Sequence, residues 1–227
     1  MAKALKPEFA PWYADKDFTS DWTSNHISRW QTAFTKLDLD RPAEILEIGS
    51  YEGRSAIAFL NLLPGSRLTS VDAEIGPGAA ERGVRLRNNL QPFGSRVKFL
   101  KALSLDVLPR MLVNNRQFDV IYIDGSHLRD AVVADTMLAW PLLRVGGLLI
   151  WDDYLWRSHL PAEQRPQPAI DWFLDRFEGS YDLLQKGSQV IVQKKEASFR
   201  ASRTAGNLIR FLSKKPLKAS WRTRRKI

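Results

Sequence analysis

Three aspartates stand at the ends of two apolar runs. Asp124 closes FDVIYID, and the pair Asp152 and Asp153 closes GGLLIWDD. If those runs are neighbouring strands about 4.8 Å apart, their carboxyl ends deliver three carboxylates to one small volume, on the rim where α/β sheets bind ligands. Like charges so close raise one another's pKa unless a cation neutralises them. An all-oxygen set, in a chain with no cysteine, suits Mg²⁺, Ca²⁺ or Mn²⁺ better than zinc. A plainer reading stays open, in which Asp124-Gly125-Ser126 is a strand-ending turn with a helix cap and Asp152-Asp153 a solvated loop.

A second constellation lies upstream. Glu47-Ile48-Gly49-Ser50-Tyr51-Glu52-Gly53 falls where one apolar run gives way to helical spacing. Gly49 allows a tight turn, and Gly53 lets the next helix approach the sheet, leaving backbone N–H groups at a helix N-terminus to face a ligand. Asp72 ends the following run, where a carboxylate can accept both hydroxyls of a ribose. Only three residues separate the two glycines and no G-x-G occurs, so the dinucleotide fingerprint is not met. An adenosine carrying an amino acid needs one bend and a carboxylate, which makes S-adenosylmethionine the better fit.

The elements that must position these residues alternate. Strands are expected at 43–49, 66–73, 97–102, 118–125 and 146–153. Helices are expected at 53–65, 77–91, 104–114, 128–140 and 168–178, with Pro141 stopping the fourth. YDLLQKG and SQVIVQKK form a closing hairpin about Lys186 and Gly187. Strands separated by helices mean βαβ units, so the expected fold is α/β and Rossmann-like, with seven mostly parallel strands and an antiparallel last strand. Residues 1–40, with Trp12, Tyr13, Trp22, Trp30 and Phe34, are expected to pack as an aromatic-rich cap on one sheet edge. Residues 41–195 form the main domain and 196–227 a basic tail, in which Ala201, Ala205, Leu208, Ile209 and Leu212 recur at helical spacing.

Through LEIGSYEG, SVDAE, FDVIYIDGSH and LLRVGGLLIWDDY, residues 43–195 resemble class I S-adenosylmethionine-dependent methyltransferases. The resemblance implies a donor site of Glu47, Gly49, Ser50, Tyr51, Gly53, Asp72, Ala73 and Asp124, with adenine contacts from Ser104 and Leu105. Asp124 with Asp152 and Asp153 further resembles the metal-dependent O-methyltransferases of the catechol and natural-product sugar types, similar to methyltransferase family 24. There a divalent cation, Mg²⁺ foremost, grips two vicinal oxygens of a small-molecule or sugar acceptor and acidifies the one to be methylated. His127 lies three residues after Asp124, where catechol enzymes carry a lysine and some sugar enzymes a histidine base. An imidazole with an ordinary pKa near ~6.5 suits that role at neutral pH. Asp124 and His127 are thus the expected catalytic pair.

Other residues carry smaller expectations. Asp135 is read as a helix residue facing water, and His26 and His159 are given no role. Arg54 either meets a carboxylate or lies exposed on its helix. Trp151, Tyr154 and Trp156 flank the Asp pair and could wall a flat acceptor, with Trp22 and Trp156 the leading pair. Trp30, Trp140 and Trp172 read as packing.

The charge is divided unevenly. The 227 residues carry a net +9, yet residues 194–227 hold twelve Lys and Arg against Glu196 alone, while the preceding 193 hold 22 against 24 acids. The basicity belongs to the tail, which could touch nucleic acid or an anionic surface. No stretch of 18 apolar residues suggests a membrane span, and the lack of cysteine fits a reducing, cytoplasmic setting. Two other functions remain open: a metal-independent methyltransferase acting on RNA or another polyanion, and a non-enzymatic S-adenosylmethionine-binding protein.

Overall fold

In a computed structural model that describes residues 5–196, the strands are β1 (Glu44–Ile48), β2 (Arg67–Asp72), β3 (Val97–Lys101), β4 (Phe118–Ile123), β5 (Leu143–Trp151), β6 (Tyr181–Lys186) and β7 (Val190–Lys194). The helices are α1 (Ile27–Phe34), α2 (Arg54–Leu62), α3 (Ala79–Leu90), α4 (Ser104–Val113), α5 (Arg129–Ala139) and α6 (Gln167–Arg176). The strands form one sheet in the order β3-β2-β1-β4-β5-β7-β6, and β7 runs antiparallel to both its neighbours. The expected seven-stranded fold is therefore present. The helical spacing expected in residues 201–212 lies outside the described residues.

The central strands are near-continuous apolar runs because both faces are covered. One face packs on α4, α5 and α6 through residues such as Leu108, Val132 and Phe173. The other packs on α1, α2 and α3 through Trp30, Phe59 and Leu86. Asp119, the one acid inside FDVIYI, is buried at the opposite end of β4 from Asp124, where Arg41 holds it with two bonds of 2.8 and 2.7 Å.

Two details differ from the expectations. β5 begins three residues earlier than expected, because a register shift against β4 lets the strand pass through Gly146 at φ +79. The aromatic segment before β1 covers a sheet face, not an edge. Its Trp30 is fully buried against Phe59 and Tyr122, with ring centroids 4.6 and 5.7 Å away, and its Nε1 donates to Gln189 Oε1 at 2.8 Å. The reason is coverage: α6 lies on the other face, so the apolar surface of β4, β5 and β7 near Ile150 and Ile191 needs α1 to exclude water.

Residues 17–24 are stitched to the start of α2 and to α3. Glu52 accepts from the Thr19 amide at 2.7 Å and its hydroxyl at 2.9 Å, and Arg85 pairs with Asp17 at 2.8 Å. Arg54 grips Asp21 with two bonds, 2.9 and 2.8 Å. Of the two fates open to Arg54, the structure selects the carboxylate.

Candidate active site

The strand order reverses between β1 and β4, and at such a switch point the loops leaving the carboxyl ends part to form a crevice. Ladder bonds run past the strand ends and carry the site residues with them. Gly49 N–H donates to Val71 O at 2.8 Å, Asp124 N–H to Ile48 O at 2.8 Å, and Asp152 N–H to Ile123 O at 3.1 Å. Gly49 has φ +83, and a Cβ there would lie 2.2 Å from the Asp124 carbonyl oxygen. The turn and the Asp124 backbone therefore touch only because residue 49 lacks a side chain.

Asp72 organises this turn. Its Oδ2 accepts from the Ser50 amide at 2.9 Å and the Tyr51 amide at 3.0 Å, and its Oδ1 accepts from the Glu74 amide at 2.7 Å. Three of roughly four lone-pair sites are thus used within the loops, leaving room for one further donor. Glu47 and Gly53 do not reach the cavity as a donor-site role would require. Glu47 is fully buried, accepting from Ser50 Oγ at 2.6 Å and Ser55 Oγ at 2.5 Å, and burial pushes its carboxyl up to about 7. It braces the turn from below. Gly53, at φ +84, faces α3, where a Cβ would sit 3.0 Å from Leu86 and 3.1 Å from Leu90, so its close approach is to that helix and not to the sheet.

A cavity of about 730 Å³ opens above these loops, lined by Gly49, Tyr51, Asp72, Ala73, Ser104, Asp124, His127, Asp152 and Asp153 among others. Its size suits a cofactor-sized ligand. A smaller recess of about 40 Å³ adjoins it, lined by Ser50, Ser55 and Tyr122 among others. Leu105 also lines the main cavity, so both residues expected after β3 are there.

The acidic group is arranged differently from the simple triad. Asp124, His127 and Asp153 bring one ligand atom each within 4.8 Å of one another. His127 Nε2 lies 2.9 Å from Asp153 Oδ2 and 3.8 Å from Asp124 Oδ1. Asp152 has its own partners: its Oδ2 accepts from the Tyr122 hydroxyl, and its Oδ1 from the Asp153 amide at 2.7 Å. The cause is the left-handed backbone of Asp153, φ +59, which gives consecutive carboxylates different partners.

Burial and the neighbouring Asp152 hold Asp124 well above the usual carboxylate range, and burial with Asp153 raises Asp152. Burial alone would lower His127, but its bonds to Asp124 and Asp153 outweigh that and bring it up to about 10. Half-buried, mutually repelling carboxylates at a cavity wall are a donor set that a hard divalent cation fits.

Several residues were missed or misplaced by pattern alone. Tyr122 falls two positions before Asp124, hence on the same side of the strand, and that period was the available signal. His26, given no role, lines the cavity beside Trp22, and burial lowers its imidazole pKa. Trp22 is 67% exposed and leans on Tyr51 at 5.2 Å, while Trp156 meets His127 edge-on at 4.5 Å. Trp151 and Tyr154 point inward instead, bonded to Thr136 Oγ1 and Asp171 Oδ1, both at 2.8 Å. Trp172 is 44% exposed and not core. Asp135 does not face water; it is 3% exposed and accepts from Ser104 Oγ.

A sheet with β7 reversed, a glycine turn braced by a β2 acid, and a cofactor-sized cavity at the switch point define a class I methyltransferase fold. Residues 46–154 match the family model described as a methyltransferase domain. Catechol O-methyltransferase of Sus scrofa is 30% identical over 138 residues, covering 57% of this chain and 71% of that enzyme. The protein R132 of Acanthamoeba polyphaga mimivirus is 29% identical over 114 residues, 48% of this chain and half of that protein's length. In fold, the chain is similar to MycE methyltransferase of the mycinamycin pathway, solved with Mg and SAH, at a TM-score of 0.58 and 17% identity over 86% of this chain and 56% of that one. The chain belongs to the class I S-adenosylmethionine-dependent O-methyltransferases.

Proposed function

We propose that the protein transfers a methyl group from S-adenosylmethionine to one of two vicinal hydroxyls on a small molecule or sugar, with a divalent cation, Mg²⁺ foremost, held by Asp124, Asp152 and Asp153. The observation that carries this is the meeting of the Asp124, Asp153 and His127 side chains on the wall of the cavity that the glycine turn also lines. The solved MycE with Mg and SAH, and the catechol O-methyltransferases among the relatives, support the same chemistry.

S-Adenosylmethionine, when bound, supplies a methyl group on a sulfonium that leaves readily as a thioether. A divalent cation at the acids would hold the two acceptor oxygens and lower the pKa of one of them. The chain's own groups do the rest. Gly49, Ser50 and Tyr51 would hold the donor's amino-acid end, and Asp72, with the lone pair that its loop amides leave free, would accept a ribose hydroxyl. Tyr122 fixes Asp152 through its hydroxyl. His127, beside Asp153 and Asp124, is the residue that would take the acceptor's proton, since a cation held by those acids would weaken the pairing that favours its charged form. Trp22 and Trp156 flank the space where the acceptor lies. Holding the two partners at near-attack distance supplies much of the rate.

The test is a screen of catechols, sugars and other vicinal diols, read as S-adenosylhomocysteine formation with Mg²⁺ and with chelator. Turnover that needs a diol and stops in chelator is expected. Undiminished turnover in chelator and in Asp152→Ala protein would overturn the metal role. Binding of S-adenosylmethionine without turnover of any acceptor would point to a binding protein.

A further inference from the structure

His26 has no part in the chemistry proposed above, yet it lines the cavity together with Trp22, Asp152 and Asp153. It stands just before α1, with its ring stacked on buried Trp30 at 5.9 Å. Arg29 Nη1 lies 3.4 Å from His26 Nδ1 and 3.3 Å from Ser188 Oγ. A guanidinium is always charged and has no lone pair to offer, so the histidine nitrogen beside it must be the acceptor. The ring is therefore neutral, and its proton sits on Nε2. Burial, helped by Arg29, outweighs Asp152 and Asp153 and lowers the imidazole pKa, in keeping with that state. Among the described residues Nε2–H has no acceptor, which leaves a fixed donor on the cavity wall.

The topology puts this donor on the acceptor's side of the site. The loops proposed to hold S-adenosylmethionine leave β1 and β2, whereas β5, which delivers Asp152 and Asp153, lies beyond β4. His26 is tied to that far side. Trp30 bonds Gln189 ahead of β7, and Arg29 reaches Ser188, whose carbonyl oxygen accepts from the Tyr154 amide at 2.9 Å. Asp152 and Asp153 act on His26 by charge alone, with no hydrogen bond or ion pair to either, so the ring stands off from the acids. An acceptor with two vicinal oxygens at those acids has its next carbon a single bond away. A hydroxyl on that carbon is the group that a neighbouring neutral N–H recognises, whereas a hydrogen or methyl there leaves the enclosed donor unpaired.

We infer that His26, its tautomer set by Arg29, donates Nε2–H to a third oxygen of the acceptor, next to the two held at the acids, so that contiguous triols are preferred to diols. The inference rests on the acceptor proposed above. Nitrogen-15 NMR of the full chain, without metal or ligand, should show a neutral His26 protonated at Nε2 at neutral pH; a ring protonated at Nδ1 overturns the inference at its first step. Calorimetry on protein saturated with S-adenosylhomocysteine and Mg²⁺ then compares pyrogallol with catechol, and methyl xyloside with its 4-deoxy counterpart. In the pair that binds, the triol should bind about three- to tenfold more tightly, the ordinary worth of one hydrogen bond. His26→Phe keeps a ring on Trp30 but has no N–H, and should abolish that margin, with the unfolding temperature recorded alongside. His26→Gln, whose amide can donate, should retain part of it. Equal wild-type affinity for triol and diol overturns the inference with no variant needed. So does a folded His26→Phe protein that keeps the margin, or one that loses affinity for S-adenosylhomocysteine instead. A wild-type protein that binds S-adenosylhomocysteine but neither pair removes the vicinal-diol reading itself, and this inference with it.

Discussion

His127 Nε2 lies 2.9 Å from Asp153 Oδ2, although the two residues leave different strands and are 26 positions apart in the chain. The pair is completed by Asp124 Oδ1 at 3.8 Å, and together the two acids bring the imidazole up to about 10 against the usual 6.5. The histidine that resembles a general base is therefore a cation in the metal-free protein at neutral pH.

The linkage has a definite sign. A folded-state pKa above the unfolded value means that the stabilisation from His127 is fully present below about pH 6.5, and is lost as pH rises toward about 10. In chelator, the stability difference between wild type and His127→Gln, followed by urea unfolding, should shrink across that window. Proton NMR should place the His127 titration near 10 without metal and much lower with saturating Mg²⁺. A titration near 6.5 in chelator would refute the ion pair.

Tyr122 donates to Asp152 and reaches it from the core, so Tyr122→Phe removes an orienting bond without removing a ligand. Partners of this kind typically govern about 10–100-fold in metal affinity. Mg²⁺ titrations should show a loss in that range. An unchanged metal affinity would mean that Asp152 is held well enough by the Asp153 amide.

Gly49→Ala should be severe. The new Cβ would fall 2.2 Å from the Asp124 carbonyl oxygen, on a backbone at φ +83 that side chains rarely adopt. Strain at such a residue costs on the order of 1–3 kcal/mol before any displacement of β4 is counted. Urea unfolding should show at least that loss, and S-adenosylhomocysteine binding by calorimetry should weaken beyond detection.

Arg54 and Asp21 hold the segment that carries Trp22. Asp21→Ala should leave the sheet intact but free the indole from Tyr51, raising KM for the acceptor several-fold with kcat less affected. Trp22→Ala should reproduce the effect without further loss in the double variant, since both act on one contact.

Much of this molecule was legible before folding. The apolar runs around Glu47, Tyr122 and Ile150, with turn residues between them, determine a doubly wound sheet, because strands covered on both faces have few other ways to read. The glycine turn, Asp72 and the three aspartates followed from their places at strand ends, where the sheet puts its ligands. Partnership was not legible. That Asp152 turns to Tyr122 while Asp153 meets His127 depends on one left-handed residue, and local backbone angles are set by packing. That Asp135 is enclosed, and not solvated on its helix, depends on which face α5 presents to α4. That α1 shields the middle of the sheet depends on which strands α6 leaves bare on the other side. Periodicity along a chain assigns faces and ends; distances across it arise only when those faces close on one another.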